Sequence, residues 1–416
     1  MLQTIIYRAG VGAYATGIKV ASAFNPKAKL FVNGRKGLIG KISNALAAET
    51  RKVIWMHCAS LGEFEQGRPL IEAIKERYGS YAILITFYSP SGYEVRKNYI
   101  GADYVFYLPV DNRANAESFL DLINPVLCLF VKYDLWYYYL SGLKKRNIPT
   151  FLVSAVFNER HGFFKWYGSL QRKMLHLLTH VFVQDSNSAD LLTKIGLSNV
   201  TVSGDTRFDR VVKAAGNAGK QQIADEFCKG FKIVVAGSTW PADEALLQNV
   251  LKDLPHEWRL MLVPHNVDEA HIKSIEKLMV GETIRWSQFL EGTGKRILLV
   301  DRVGLLLELY QYSDISYIGG GFGKAGVHNV LEAAVYGVPC CFGPVYHQFI
   351  EAAELLKQDG AQMIKNSTEL TRAILNTNDR IQAKESGAKG KNYILSRTGA
   401  TENILTEIAV YLNQFP

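Results

Sequence analysis

The residue types best suited to chemistry fall in three short blocks. The first is His57-Cys58-Ala59-Ser60-Leu61-Gly62-Glu63, where an apolar run ends and an amphipathic stretch begins. Ser60 can cap a helix, Gly62 allows a sharp turn, and Glu63 falls in the first helical turn. A carboxylate there can act as general base toward an acceptor hydroxyl, a role that contributes on the order of 10²–10⁴ in rate. It can equally serve only to complement the positive end of the helix dipole. Spacing alone leaves both readings open.

The second block runs Gly319-Gly320-Gly321-Phe322-Gly323-Lys324-Ala325-Gly326-Val327-His328-Asn329-Val330-Leu331-Glu332. It contains G-x-G-x-x-G at Gly321, Gly323 and Gly326, but the acidic residue a dinucleotide site needs on the next strand is missing, since that strand reads Val338-Pro339-Cys340-Cys341-Phe342. A nicotinamide cofactor is therefore disfavoured. The block reads better as a loop whose bare backbone approaches a phosphate at the start of a helix near His328. Asn329 and Glu332, three residues apart, then share a helical face from which an acid accepts ribose hydroxyls. Glycines used only for tight helix–strand packing are the alternative. The third block, Gly237-Ser238-Thr239 followed by Trp240-Pro241, forms either an anion pocket at a helix start or an ordinary cap. Histidines 57, 265, 328 and 347 lack metal-ligand spacing, so no metal centre and no cofactor are expected, and basic side chains such as Arg207 are left to meet substrate charge.

These blocks need strands and helices to position them, and the chain supplies alternating short apolar runs and amphipathic stretches, the pattern of βα units with a parallel sheet. Strands are expected at Val53–Cys58, Ala82–Phe87, Tyr104–Tyr107, Val126–Val131, Thr150–Ser154 and Val181–Gln184, then at Lys232–Ala236, Arg259–Val263, Ile297–Val300, Ile315–Ile318 and Val338–Phe342. Helices are expected at Asn112–Leu122, Phe163–Leu178, after Val303 and after His328. The small, polar stretch within Val211–Phe227 is the linker candidate. The fold class is thus α/β, with two doubly wound, Rossmann-like domains, residues 53–213 and 214–416, facing a cleft behind a lead-in of residues 1–52.

At 416 residues and 48% hydrophobic, the chain suffices for two cores. Its formal charge of +8 is confined to residues 1–52, which hold nine basic residues and one acidic; the remaining 364 balance. That distribution suits docking on an anionic membrane surface, or a plain amphipathic first helix with a solvated basic face, and it disfavours nucleic acid as a partner. Arg8 and Lys19 interrupt the apolar segment Leu2–Phe24, which reads as interfacial rather than spanning, and no secretory signal is legible. Four of the five cysteines (Cys58, Cys128, Cys340, Cys341; the fifth is Cys228) lie in apolar runs, which points to reduced thiols in a cytosolic setting.

Together the blocks resemble the Kdo (3-deoxy-D-manno-octulosonic acid) transferases of lipopolysaccharide assembly. His57-x-x-Ser60-x-Gly62-Glu63 is similar to the family's catalytic-glutamate motif, Thr86-Phe87-Tyr88-Ser89-Pro90-Ser91-Gly92 to its T-x-x-[ST]-P-[ST]-G turn, and Tyr107-Leu108-Pro109-Val110-Asp111 to its Y-L-P-x-D. Gly204-Asp205-Thr206-Arg207-Phe208-Asp209 resembles G-N-x-K-F-D, and Gly319-Gly320 with Gly326 through Glu332 resembles G-G-S followed by G-G-H-N-x-L-E. The resemblance implies a GT-B fold, an inverting, metal-independent transfer from CMP-Kdo to a lipid A precursor, and a place on the cytoplasmic face of the inner membrane. By that match Glu63 is the base. Pro264, His265, Val303, Gly304, Leu305, Asn329, Val330, Leu331 and Glu332, with Gly237, Ser238, Thr239, Gly319 and Gly320, hold the donor, and Ser60, Gly62, Asp134 and Arg207 lie on the acceptor side.

The sequence also departs from the family pattern. E-x-E-L-W-P is Lys132-Tyr133-Asp134-Leu135-Trp136-Tyr137 here, P-R-H-P-E-R is Pro264-His265-Asn266-Val267-Asp268-Glu269, and Leu305 replaces an acid. These changes bear on acceptor contacts, donor affinity and the number of sugars added. A glycosyltransferase using a UDP-sugar, which Asn329, Glu332 and the glycine loop would serve equally, and a noncatalytic lipid-precursor binding protein are the alternatives; the Glu63 motif argues against the first, and Glu63 with Glu332 against the second.

Overall fold

A strand buried on both faces needs a nearly continuous apolar run, and the runs of the first half become seven parallel strands. In the computed structural model, which describes residues 2–292 and 294–414, these are β1 (Val53–Cys58), β2 (Ala82–Phe87), β3 (Tyr104–Tyr107), β4 (Pro125–Val131), β5 (Thr150–Ala155), β6 (His180–Val183) and β7 (Val200–Val202). Their order is β3-β2-β1-β4-β5-β6-β7, so the winding reverses between β1 and β4. The register sets His57 beside Thr86 on one side and Phe130 on the other. The second sheet comprises β8 (Lys232–Thr239), β9 (Trp258–Pro264), β10 (Thr283–Arg285), β11 (Ile297–Leu299), β12 (Ile315–Ile318), β13 (Cys340–Phe342) and β14 (Ala361–Met363). It is ordered β10-β11-β9-β8-β12-β13-β14, again all parallel, with its reversal between β8 and β12.

The division between units differs from the expected one. The first compact unit ends at residue 209 and regains the chain from 398 onward; the second is residues 210–397. The terminal helix Ala400–Leu412 buries Ile404, Leu405, Ile408 and Leu412 against the first sheet, among Ile54, Phe151 and Phe182. Its first turn is held by Asp209, whose carboxylate accepts from the amides of Gly399 (2.6 Å) and Thr401 (2.7 Å). The lead-in is no separate domain either, because Phe31, Leu38 and Ile42 join the core around Trp55. Arg35, counted among its basic residues, turns inward. It donates to the carbonyls of Leu108 and Tyr88 and lies 3.6 Å from the centre of the Phe31 ring, and burial lowers its pKa to about 10.

The linker expected within Val211–Phe227 is mostly helical (Thr206–Gly216, then Gln222–Cys228), since the alanines at 214 and 215 are good helix formers and Val211 is buried. The expected Phe163–Leu178 helix divides into a short 3₁₀ turn, Gly162–Phe164, and a helix at Ser169–Leu175, because the Arg172 guanidinium takes the carbonyls of Phe163 and Lys165. After the glycine loop the helix starts at Leu331, not His328, and has a single turn. The N-terminal helix spans Leu2–Ala21, and among the described residues no helix is long and apolar enough to cross a membrane.

Candidate active site

Ligands of doubly wound sheets bind at the carboxyl ends of the strands where the winding reverses. In the first unit that is the mouth of β1 and β4, where Ser60 caps the helix Leu61–Arg77 and Glu63 turns back onto the cap. Oε2 of Glu63 accepts from the amides of Ala59 (2.5 Å) and Ser60 (3.2 Å), and Oε1 has no hydrogen-bond partner among the described residues. Burial first, and the negative charge of Asp134 second, push the Glu63 carboxyl above the usual carboxylate range; His57, the Ala59 amide and Lys132 pull the other way. The helix-cap role therefore occupies one carboxylate oxygen and leaves the other open.

A chain of hydrogen bonds lies behind it. Trp55 Nε1 donates to Thr86 Oγ1 (2.8 Å), which is also 2.8 Å from His57 Nδ1. With one lone pair taken by the indole, the Thr86 hydroxyl can give its proton to Nδ1, so that Nε2 carries hydrogen toward Asp134 Oδ2, 3.1 Å away. Trp136 Nε1 donates to the same oxygen (3.0 Å). His57 and Thr86 are wholly buried, whereas Asp134 is 29% exposed. Asp134, the shortened acid of the altered Lys132–Tyr137 segment, thus serves as an acceptor for two ring N–H groups.

Two cavities open near this point. One of about 600 Å³ is lined by Asp134, Leu135, Phe163, Leu170 and Met174 with Ile6 and Tyr7 of the first helix. The other, about 910 Å³, carries Arg8, Arg113, Lys145 and Arg146. Tyr7 ties the first helix down by donating to Asp111 Oδ2 (2.5 Å), and burial lifts the Asp111 carboxyl to about 6. Ile5, Phe24, Trp166 and Tyr167 of the same unit are exposed.

In the second unit the reversal point lies between β8 and β12, and the expected donor residues gather at the strand ends. Gly319 is required sterically, because a Cβ there would stand 2.4 Å from the Ser238 carbonyl oxygen; Gly320 adopts φ +89° beside the His328 ring. Packing thus accounts for glycines that the sequence also allowed as a phosphate cradle. Asn329 Nδ2 donates to Glu332 Oε1 (3.0 Å), as their spacing predicts. Val330 and Leu331 are fully buried, leaving only their backbone to a ligand. Val303 and His265 are exposed, Gly304 has φ +94°, Leu305 precedes the short helix Leu306–Leu309, and Pro264 ends β9.

Three expectations need correction. Thr239 does not offer its hydroxyl to an anion: it is buried and donates to Glu244 Oε1 (3.2 Å), because β8 continues through it. Gly62 makes no sharp turn, being the second residue of a helix. The Arg207 guanidinium is engaged by Asp205 (2.7 Å). Sequence reasoning missed Asp243, buried in the first turn of the helix Pro241–Asp253, whose Oδ2 accepts from the amides of Trp240 and Gly320, each at 2.9 Å. An acid three residues after the Trp240 cap was the available signal.

Comparison with known proteins agrees with the motifs. Residues 33–210 match the family model described as 3-deoxy-D-manno-octulosonic-acid transferase (kdotransferase). The chain is 27% identical over 353 residues to the 3-deoxy-D-manno-octulosonic acid transferase of Aquifex aeolicus, covering 83% of this chain and 92% of that one. It is 24% identical over 376 residues to the enzyme of that name from Haemophilus influenzae, 87% of each. Among solved structures, UDP-GlcNAc 2-epimerase from Neisseria meningitidis matches with a TM-score of 0.58 at 15% identity, over 86% of this chain and 99% of that one, a likeness of fold. The two Rossmann-like units are those of the GT-B class, and the resemblance read from the sequence is borne out.

Proposed function

We propose that this chain, a glycosyltransferase related to the Kdo transferases, moves Kdo from CMP-Kdo onto a lipid A precursor with inversion and without a metal. The observation that carries the reading is Glu63: one oxygen is committed to backbone amides, the other has no partner among the described residues, and burial with Asp134 raises its proton affinity, as suits a general base. Glu63 takes the proton of an acceptor hydroxyl as that oxygen attacks the anomeric carbon from the face opposite CMP. The bond from that carbon to the phosphate oxygen breaks, and CMP leaves. His57 and Asp134 keep a fixed dipole and charge beside the base.

The two cavities suit an amphiphilic acceptor, acyl chains along the apolar one and phosphate at the one bearing Arg8, Arg113, Lys145 and Arg146. The exposed Phe24 and Trp166 support binding at an anionic membrane surface, on the cytoplasmic face of the inner membrane. The donor belongs to the second unit, with the Asn329–Glu332 pair toward ribose. The test is incubation of purified protein with CMP-Kdo and a tetraacyl lipid A precursor in EDTA, Glu63→Gln alongside, and mass spectrometry of the lipid. Lipid heavier by whole Kdo units with wild type alone is expected. Equal product from both proteins removes the base assignment, and no product from wild type removes the acceptor or donor.

A further inference from the structure

Trp240, His265 and His328 come from three strand ends of the second sheet, after β8, after β9 and after the glycine loop that follows β12. The planes of Trp240 and His328 are within 7° of parallel with centroids 6.2 Å apart, and Trp240 Nε1 lies 2.7 Å from His328 Nε2. Nearly parallel rings that touch edge to edge at that separation lie side by side in one plane. His265 covers the pair, 4.6 Å from each ring centre and tilted 21° and 24°.

The chemistry of the edge contact is one-way. An indole N–H only donates, so His328 Nε2 is the acceptor, and a neutral imidazole then carries its proton on Nδ1. Burial lowers the His328 pKa to about 4, which keeps the ring neutral at physiological pH. Nothing among the described residues accepts from Nδ1.

The surroundings are built to hold this geometry. Asp243 Oδ2 binds both the Trp240 amide and the Gly320 amide, and Tyr317 donates to its Oδ1 (2.6 Å). One buried carboxylate therefore sets the strand end bearing Trp240 and the loop bearing His328. The His328 amide donates to the Gly319 carbonyl (3.0 Å), and a Cβ at Gly320 would stand 2.8 Å from the imidazole Cδ2.

We propose that Trp240 is a positioning residue that locks His328 as the Nδ1–H tautomer, so that this neutral imidazole donates a hydrogen bond to an anionic oxygen of the sugar nucleotide. The anion role rests on the donor reading above; the tautomer does not. Ring ¹⁵N shifts of the ligand-free, full-length protein test the lock, with the His328 signals assigned by their loss in His328→Gln. Wild type should show protonated Nδ1 and bare Nε2, and Trp240→Phe, which keeps a ring without an N–H, should admit the Nε2–H form. A wild-type ring protonated at Nε2 overturns the proposal before any ligand is added.

Binding then locates the oxygen. His328→Phe is expected to weaken binding roughly tenfold or more, as losing a bond to a charged group does, with His328→Gln retaining more of the affinity because its amide still donates. Trp240→Phe should fall between. Weakening of CMP and CMP-Kdo alike assigns the phosphate; weakening of CMP-Kdo with CMP unchanged assigns the sugar carboxylate. Unchanged affinity for both overturns the role. Wild-type protein that binds neither nucleotide sinks the donor reading and the anion role with it, while the ring shifts still decide the tautomer.

Discussion

At the mouth of the first sheet His57 is wholly buried, and its ring is one link in a chain from Trp55 through Thr86 to Asp134. At the mouth of the second, His328 is half-buried and is held by one indole N–H under a covering ring. Both rings are oriented by a tryptophan, yet the consequences differ. In the first site a lost link leaves buried groups without partners, and the negative charge of Asp134 sits beside the Glu63 carboxylate. In the second the rings are neutral and water can reach them, so the cost of a lost link falls on ligand binding more than on folding.

The largest expected effect is on the first site. Glu63→Gln should lower kcat by roughly 10²–10⁴ while leaving CMP affinity unchanged, since the proposed donor site lies in the other unit; an equal loss of CMP affinity would break the separation of roles. Next, Thr86→Val removes the acceptor of Trp55 and the partner of His57 Nδ1, and each orphaned buried group costs about 1–3 kcal/mol. The urea midpoint should therefore fall by the equivalent of about 2 kcal/mol or more, against less than about 1 kcal/mol for Trp240→Phe, whose lost partner water can replace. Equal losses in the two variants would mean that burial does not distinguish the sites.

The smallest effect is a shift in pH dependence. Asp134 is the second cause, after burial, of the raised Glu63 pKa. A base works deprotonated, so the rate rises as pH passes through that pKa. Asp134→Asn removes the negative charge and lowers the Glu63 pKa, and the acidic limb of the rate profile should move to lower pH. A limb that stays in place, or moves up, would show that Asp134 acts only as a hydrogen-bond acceptor for His57 and Trp136.

Much of this architecture was legible along the chain. Most of the strands that were expected carry apolar runs buried on both faces; β3, a partly buried edge strand, was legible from its aromatic and β-branched residues alone. The three that were not, β7, β10 and β14, are three-residue edge strands with one neighbour each. Glu63 stood out because an acid in a first helical turn after a buried strand has a defined place. Asp243 obeys the same rule and was overlooked, because its partners, Gly320 and Tyr317, lie more than 70 residues away. Thr239 misled for a related reason: a hydroxyl at a strand end points outward or inward according to packing that no local pattern records.

Hydrophobic period and turn chemistry act over a few residues, and so the sequence by itself determined the two α/β units, the strand runs, the base motif and the kinship those motifs carry. The tertiary structure alone decided that the last helix returns to the first unit, since its apolar face of Ile404, Leu405 and Ile408 suits any sheet until packing selects one. It also decided that the His57 ring is held by Thr86, and that Trp240 and His328 share a plane, because each pairing joins strand ends that meet only once the order and register of a sheet are set.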